Sequence, residues 1–148
     1  MKVQIEKKGD GASVLRCVRK DGSVTYQKHQ GRQGAFFPVH DLAHFAVESE
    51  VPRLAGFYSL IASGWNMEDT TGKGARGPIP DDAIVVEKLV GRLDLERAGV
   101  ASFTADDLGL TEDELERVWR RIRGLIAVWE ALPPGGTLEL TWIAPSSR

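Results

Sequence analysis

Residues 13–29 read SVLRCVRKDGSVTYQKH, two alternating segments joined by Asp21-Gly22. A two-residue Asp-Gly loop is typical of a β-hairpin, because both central residues of its type I′ turn need a positive φ. Pairing of Lys20 with Ser23 would place four residues on one face, which we expect to be the core face: Leu15, Cys17, Val24 and Tyr26. The hairpin therefore predicts an antiparallel sheet near the N-terminus.

Two further strands are expected on either side of this hairpin in the sequence. Residues 2–7 alternate between apolar and polar side chains, and Gly9-Asp10-Gly11 supplies a turn before the hairpin. Near the other end, residues 137–143 (TLELTWI) alternate in the same way. We expect this last strand to pair beside the first one, which brings the ends of the chain close together.

The middle of the chain predicts four helices, near 38–49, 53–63, 81–98 and 112–131, with loops at 30–34 and 66–80. The last helix has the clearest apolar stripe: Leu115, Val118, Trp119, Ile122, Leu125, Ile126 and Trp129. Its start carries a capping box and a hydrophobic staple, formed by Thr111, Glu114, Leu110 and Leu115.

The order βββ-αααα-β predicts an α+β fold, since the alternation of strand and helix that builds a parallel sheet is missing. We expect an antiparallel four-stranded sheet, made of a three-strand N-terminal meander plus the C-terminal strand, packed against about four helices. The length of 148 residues and the 42% hydrophobic content suit a single domain over 1–148. Residues 144–148 are expected to form a flexible tail.

The composition also bears on the compartment and on membranes. No apolar run approaches the roughly 18 residues needed to span a bilayer, and MKVQIEKKGD lacks the apolar centre of a signal peptide. The single cysteine, Cys17, cannot form an internal disulfide. We therefore expect a cytoplasmic protein without a membrane partner.

The most site-like pattern is a polar stripe on the predicted helix 38–49. His40, His44 and Glu48 are spaced four residues apart, so they share one helix face. Because the neighbouring residues are mostly apolar, the imidazoles are expected to be at least half buried and to need hydrogen-bond partners or a metal. Two imidazoles and a carboxylate predict a site for a divalent metal such as zinc.

The segment HDLAH resembles the HExxH signature of metallopeptidases, with Asp41 in the position of the glutamate. In that family the glutamate acts on metal-bound water, so the resemblance assigns Asp41 a catalytic role, in a metal-dependent hydrolase. Asp is one methylene shorter than Glu. The alternative is structural: Asp41 favours the first turn of the helix, while His40 and His44 bond to backbone and to Glu48. His29 could join the same site if it pointed toward this helix, but in the register above it lies on the less apolar sheet face.

Three segments together resemble an uncharacterised bacterial protein family with an FFP-x-HDL-x-H-x-x-VE pattern: FFPVHDLAHFAVE, GFYSLIASGW and DTTGKGARGP. The resemblance covers about the first hundred residues. It implies that these segments belong together, and it implies no activity.

The predicted loop 66–80 offers a second candidate site, because Asp69, Thr71, Lys73 and Arg76 lie among glycines. Such a loop can bind an anion, or it can act as a lid over the histidines. Residues 1–35 hold eight Lys and Arg against three Asp and Glu, so the hairpin is basic. The alternative function is thus a non-enzymatic interaction module that contacts an anionic partner. The absence of a nucleic-acid-binding motif makes nucleic acid the less favoured partner.

Overall fold

The computed structural model describes residues 1–145 as a four-stranded sheet with four α-helices and one short 3-10 helix. The strands are β1 (Lys2–Lys7), β2 (Ser13–Val18), β3 (Val24–His29) and β4 (Thr137–Thr141). The helices are α1 (Arg32–Glu50), α2 (Phe57–Ala62), α3 (Asp81–Arg97) and α4 (Glu112–Ala131), and the 3-10 helix spans Met67–Thr71.

The sheet is antiparallel with the order β3-β2-β1-β4, which confirms the predicted α+β fold and the place of the last strand. Leu138 of β4 lies opposite Ile5 of β1, and Leu140 lies opposite Val3. These apolar pairs face the helices, so β4 extends the core face of the N-terminal meander.

The register of the β2–β3 hairpin differs by one residue from the prediction. Arg19 N–H donates to the carbonyl of Ser23 at 2.9 Å, which leaves a three-residue loop in which Gly22 has a φ of 87°. Such loops end in one left-handed residue, so Asp21-Gly22 fits them as well as a two-residue turn. A shift of one residue exchanges the faces of a strand.

As a result, β3 presents the opposite set of side chains to the core. Thr25 and His29 are buried, whereas Val24 and Tyr26 are 49% and 63% exposed. The predicted core positions of Val24 and Tyr26 are therefore wrong. His29 faces the helices, contrary to the expected register.

Helix α1 begins at Arg32, so the predicted loop at 30–34 is wrong in its last three residues. Gly34 lies in the first turn, where a Cβ atom would collide with the carbonyl oxygen of Gly11 and lie 3.0 Å from the Cα of Ala12. Only glycine allows this close approach of helix and turn. Pro38 lies inside the helix rather than at its start.

Helices α3 and α4 follow the prediction closely, and α2 is shorter than expected. The capping box of α4 is present: Glu114 N–H donates to Thr111 Oγ1 at 3.0 Å, and Thr111 N–H donates to Glu114 Oε1 at 2.9 Å. The predicted helix 53–63 is helical only over Phe57–Ala62.

The expected tail falls largely on residues 146–148, which lie outside the described residues.

The core lies between the sheet and α1, with α3 and α4 packed on the other sides of that helix. Eight consecutive residues of α1, from Asp41 to Glu48, are buried, so α1 is the central helix of the domain. Within residues 1–145, no helix is long and apolar enough to cross a membrane.

Candidate metal centre

The predicted stripe on α1 is buried to different depths along the helix. The side chains of His44 and Glu48 are 2% and 1% exposed, and that of His40, one turn earlier, is 15% exposed. The two imidazole rings meet edge to face, with centroids 4.9 Å apart. Polar groups at this depth need partners, and α1 alone does not supply enough of them.

Glu87 of α3 provides the carboxylate that both histidines face. Its Oε1 lies 3.1 Å from His44 Nε2, and its Oε2 lies 3.9 Å from His40 Nε2. One ligand atom from each of these three residues falls within 4.8 Å of the others. His40, His44 and Glu87 therefore form a group that could hold a metal ion.

A second carboxylate stands behind each imidazole. His40 Nδ1 lies 2.7 Å from Asp94 Oδ2, and His44 Nδ1 lies 3.3 Å from Glu48 Oε2. Each Nδ1–H can thus donate to a carboxylate while Nε2 is directed at Glu87. This is the arrangement by which proteins fix the tautomer and orientation of a metal-binding histidine.

Glu48 also holds the start of α2. Its Oε1 accepts hydrogen bonds from Tyr58 N–H at 2.9 Å and from Ser59 N–H at 3.3 Å. A Cβ atom on Gly56 would lie 3.0 Å from Glu48 Oε2, so glycine leaves room for the carboxylate. Glu48 therefore lies on the far side of His44 from Glu87, and it is not a member of the three-residue group.

These contacts shift the proton equilibria of the buried groups. Burial by itself would lower the pKa of His44, but the hydrogen bonds to Glu48 and Glu87 raise it to about 10. Burial opposes ionisation of Glu87, yet the hydrogen bond and charge of His44 lower its pKa. Without a metal, these contacts favour the protonated form of His44, which lies between two carboxylates.

Asp41 opens onto the same cleft. The cleft has a volume of about 150 Å³ and is lined by Gln27, Phe37, His40, Asp41, His44, Phe57, Thr70, Thr71 and Glu87. Asp41 is 6% exposed, and its Oδ2 has no hydrogen-bond partner within residues 1–145. Burial raises the pKa of Asp41 to about 7, against the opposing charges of His40 and His44.

His29 comes close to this cleft but does not join it. Its ring stacks on Phe37 with centroids 4.1 Å apart, and Phe37 in turn meets His40 edge to face. Burial, followed by the charge of His40, lowers the pKa of His29. Phe37 thus separates the third histidine of the chain from the other two.

Only part of the predicted anion-binding or lid loop reaches the cleft. Thr71 lines the cleft, but Lys73 and Arg76 do not. Arg76 Nε lies 3.6 Å from Asp69 Oδ2, and its guanidinium lies over the ring of Trp65. Asp69 Oδ2 also accepts from Asn66 N–H at 2.8 Å, so Asp69 organises the loop itself.

Glu87 and Asp94 were not among the candidates from sequence. They lie seven residues apart on α3, which is two helical turns, so both face α1 beside the apolar stripe. Paired acids at that spacing on the edge of an apolar face were the available signal. Their distance from the histidine motif in sequence concealed the connection.

No family model, curated protein or solved structure matches this chain. The geometry described above is therefore the basis for assigning a function, and the family resemblance noted from the sequence stays a prediction.

Proposed function

We propose that this chain binds one divalent metal ion of the zinc class through His40 Nε2, His44 Nε2 and the Glu87 carboxylate, and that the ion activates water for hydrolysis. The observation that carries the proposal is the paired arrangement of the histidines. Both Nε2 atoms are directed at one carboxylate, and each Nδ1 faces a carboxylate of its own.

The distances suit a tetrahedral ion. Two ligands that lie 2.0–2.1 Å from such an ion are about 3.3 Å apart. The separations of 3.1 Å and 3.9 Å between Glu87 and the two Nε2 atoms are close to this value. The three ligand atoms lie within 4.8 Å of one another, so binding of an ion would draw them closer together.

The ligand set favours zinc over magnesium or calcium. Imidazole nitrogens suit zinc and its transition-metal neighbours, whereas magnesium and calcium prefer oxygen ligands alone. Three protein ligands leave a fourth position for water, which is the arrangement of catalytic rather than structural zinc sites. Zinc lowers the pKa of such a water and so supplies a nucleophile near neutral pH.

Asp41 is the residue that would act on this water. Asp41 lines the same cleft as the three ligands, and its buried Oδ2 has no hydrogen-bond partner within residues 1–145. A carboxylate so placed can orient the water and accept its proton. In this proposal Glu48 orients His44 instead of binding the ion, in contrast to the ligand role expected from its spacing.

Metal analysis of the purified protein tests the proposal. We expect about one zinc ion per chain after incubation with zinc and gel filtration, measured by plasma mass spectrometry. Zinc at a free concentration of 100 times its Kd should stabilise the fold by about 2.7 kcal/mol. A chelator should reverse the gain in Tm.

Variants separate the two candidate carboxylates. Glu87→Gln should abolish stoichiometric zinc binding, while Glu48→Gln should weaken it about 10–100-fold, as expected for a carboxylate behind a ligand. Glu130→Gln, on the exposed side of α4, serves as the matched control and should bind zinc normally. Equal zinc binding by the wild type and Glu87→Gln would refute this ligand set.

A further inference from the structure

We infer that the cleft takes a small neutral or cationic substrate that donates hydrogen bonds, an amine or amide, and rejects phosphates and carboxylates. This inference rests on the proposed metal site. It concerns what can approach the fourth position of the ion, and it follows from the groups that line the cleft.

The charges around the cleft are predominantly negative. Asp41 and Glu87 line it, and Asp94 and Glu48 stand directly behind the two histidines. Among the residues that the structure describes, neither a lysine nor an arginine lines the cleft. Even without Asp41, whose pKa is about 7, the three other carboxylates exceed the charge of one divalent ion, so an anionic substrate would meet net repulsion.

The nearest loop does not change this balance. Arg76 is the cation expected from sequence to meet an anion, but it lies against Asp69 and the ring of Trp65. It also donates to the carbonyl of Gly64 at 3.3 Å. The Arg76 guanidinium is thus bound by groups of the loop and of the residues just before it, and it does not line the cleft.

The hydrogen-bonding groups of the cleft are mainly acceptors. Thr70 Oγ1 donates to the carbonyl of Met67 at 2.6 Å, and Thr71 Oγ1 donates to the carbonyl of Glu68 at 2.9 Å. Since each hydroxyl has a single proton, the two oxygens can only accept from a ligand, and Thr71 Oγ1 already accepts from Lys73 N–H at 3.1 Å, which leaves it one acceptor position. Asp41 Oδ2 adds a buried acceptor without a partner in residues 1–145.

The walls and the size of the cleft narrow the class further. The rings of Phe37 and Phe57 line it and suit a positively charged or weakly polar group. A volume of about 150 Å³ is well below the roughly 300–1,000 Å³ of pockets that enclose drug-sized ligands. The part of the substrate that enters is therefore a small amine or amide group, and any larger part stays outside.

Hydroxamic acids with the same metal-binding group but different charges test the inference. The probes are glycine hydroxamic acid, which carries an ammonium group, neutral acetohydroxamic acid, and succinic monohydroxamic acid, which carries a carboxylate. The protein is loaded with Co²⁺, whose visible absorption reports changes at the metal. We expect the ammonium probe to bind at least tenfold more tightly than the carboxylate probe, and inorganic phosphate to leave the spectrum unchanged.

Asp41→Asn keeps the shape of the side chain and removes its charge. It should shrink the preference for the ammonium probe at least threefold, while Asp106→Asn, an exposed carboxylate outside the lining of the cleft, should leave the preference unchanged. Equal affinity for the two charged probes, or binding of phosphate, would overturn the inference and leave the metal site standing. Failure of Co²⁺ to bind would overturn the metal site, and the inference with it.

Discussion

Helices α1 and α4 are nearly equal in length, with 19 and 20 residues, but they follow different rules. Helix α4 has a capping box, acids in its first turn and an apolar stripe toward the core. Helix α1 has no side-chain cap, contains Pro38, and buries His44, Asp41 and Glu48 at the centre of the domain.

This difference identifies α1 as the region where the sequence departs from what stability alone would select. Burying charged groups gains little stability, because their desolvation offsets much of their mutual attraction. A sequence selected for packing would place apolar residues at these positions of α1. The usual rules of helix capping and apolar core packing are broken in α1 and followed in α4. Such local violations are expected at functional sites.

The largest effect should come from removing Glu48. Glu48→Ala leaves the N–H groups of Tyr58 and Ser59 without their buried acceptor and removes one counter-charge of His44. We expect a loss of about 3–5 kcal/mol in the free energy of unfolding. Urea denaturation with chelator present measures this loss without a contribution from metal.

Glu50→Ala is the matched control on the same helix. Glu50 is partly exposed and lies 3.7 Å from Arg117 and 3.9 Å from Arg121, so its removal should cost about 0–1 kcal/mol. Similar losses for the two variants would mean that the buried contacts of Glu48 contribute no more to the free energy of unfolding than the partly exposed ion pairs of Glu50.

An intermediate effect should change sign between the two helices. Gly34→Ala in α1 would drive a Cβ atom into the Gly11 carbonyl, so we expect destabilisation by about 1–3 kcal/mol. Gly124→Ala in α4 meets no atom within 4 Å and should stabilise by about 0.5–1 kcal/mol. Thermal denaturation compares the two, and a change of the same sign in both would contradict the packing described at the start of α1.

The smallest effect concerns His29, beside the histidine site. Burial lowers its pKa in the folded state, so the unfolded chain binds more protons just below pH 6.5. The contribution of His29 to stability should therefore fall as the pH drops below about 6.5. The pKa of His44 is raised instead, so its contribution has the opposite sign: it begins to fall as the pH rises past about 6.5, where the unfolded chain loses this proton and the folded chain keeps it.

His29→Gln removes a contribution that rises with pH, so between about pH 5 and 7 the unfolding free energy of the variant should rise less, or fall more, with increasing pH than that of the wild type. Urea denaturation at several pH values measures the slope. Parallel curves for the two proteins would show that His29 titrates equally in the folded and unfolded chains.

Most of the architecture could be predicted because its signals are local. The capping box and stripe of α4 lie within twenty-two residues, from Leu110 to Ala131, and the alternation in 137–143 marks β4 by itself. The hairpin register could not be decided, since Asp21-Gly22 suits loops of two or three residues. This difference of one residue in loop length determines whether His29 or Tyr26 faces the core.

Only the part of the site that lies on α1 could be predicted from the sequence. The spacing of His40, His44 and Glu48 places them on one face of α1, and the structure confirms that His44 and Glu48 are buried together. Glu87 and Asp94 come from α3, and only the packing of α3 against α1 reveals them. The early start of α1 was missed because Gly34 and Pro38 are usually signs of a loop or a helix start.

A crystal structure of the zinc-loaded protein, with anomalous diffraction measured on both sides of the zinc absorption edge, tests the proposed ligand set directly. We predict one anomalous peak per chain, about 2.0–2.1 Å from His40 Nε2 and His44 Nε2 and within about 2.2 Å of a Glu87 oxygen. Asp94 and Glu48 should remain on the Nδ1 atoms. No peak in this cleft, or zinc bound by Glu48 in place of Glu87, would contradict the account.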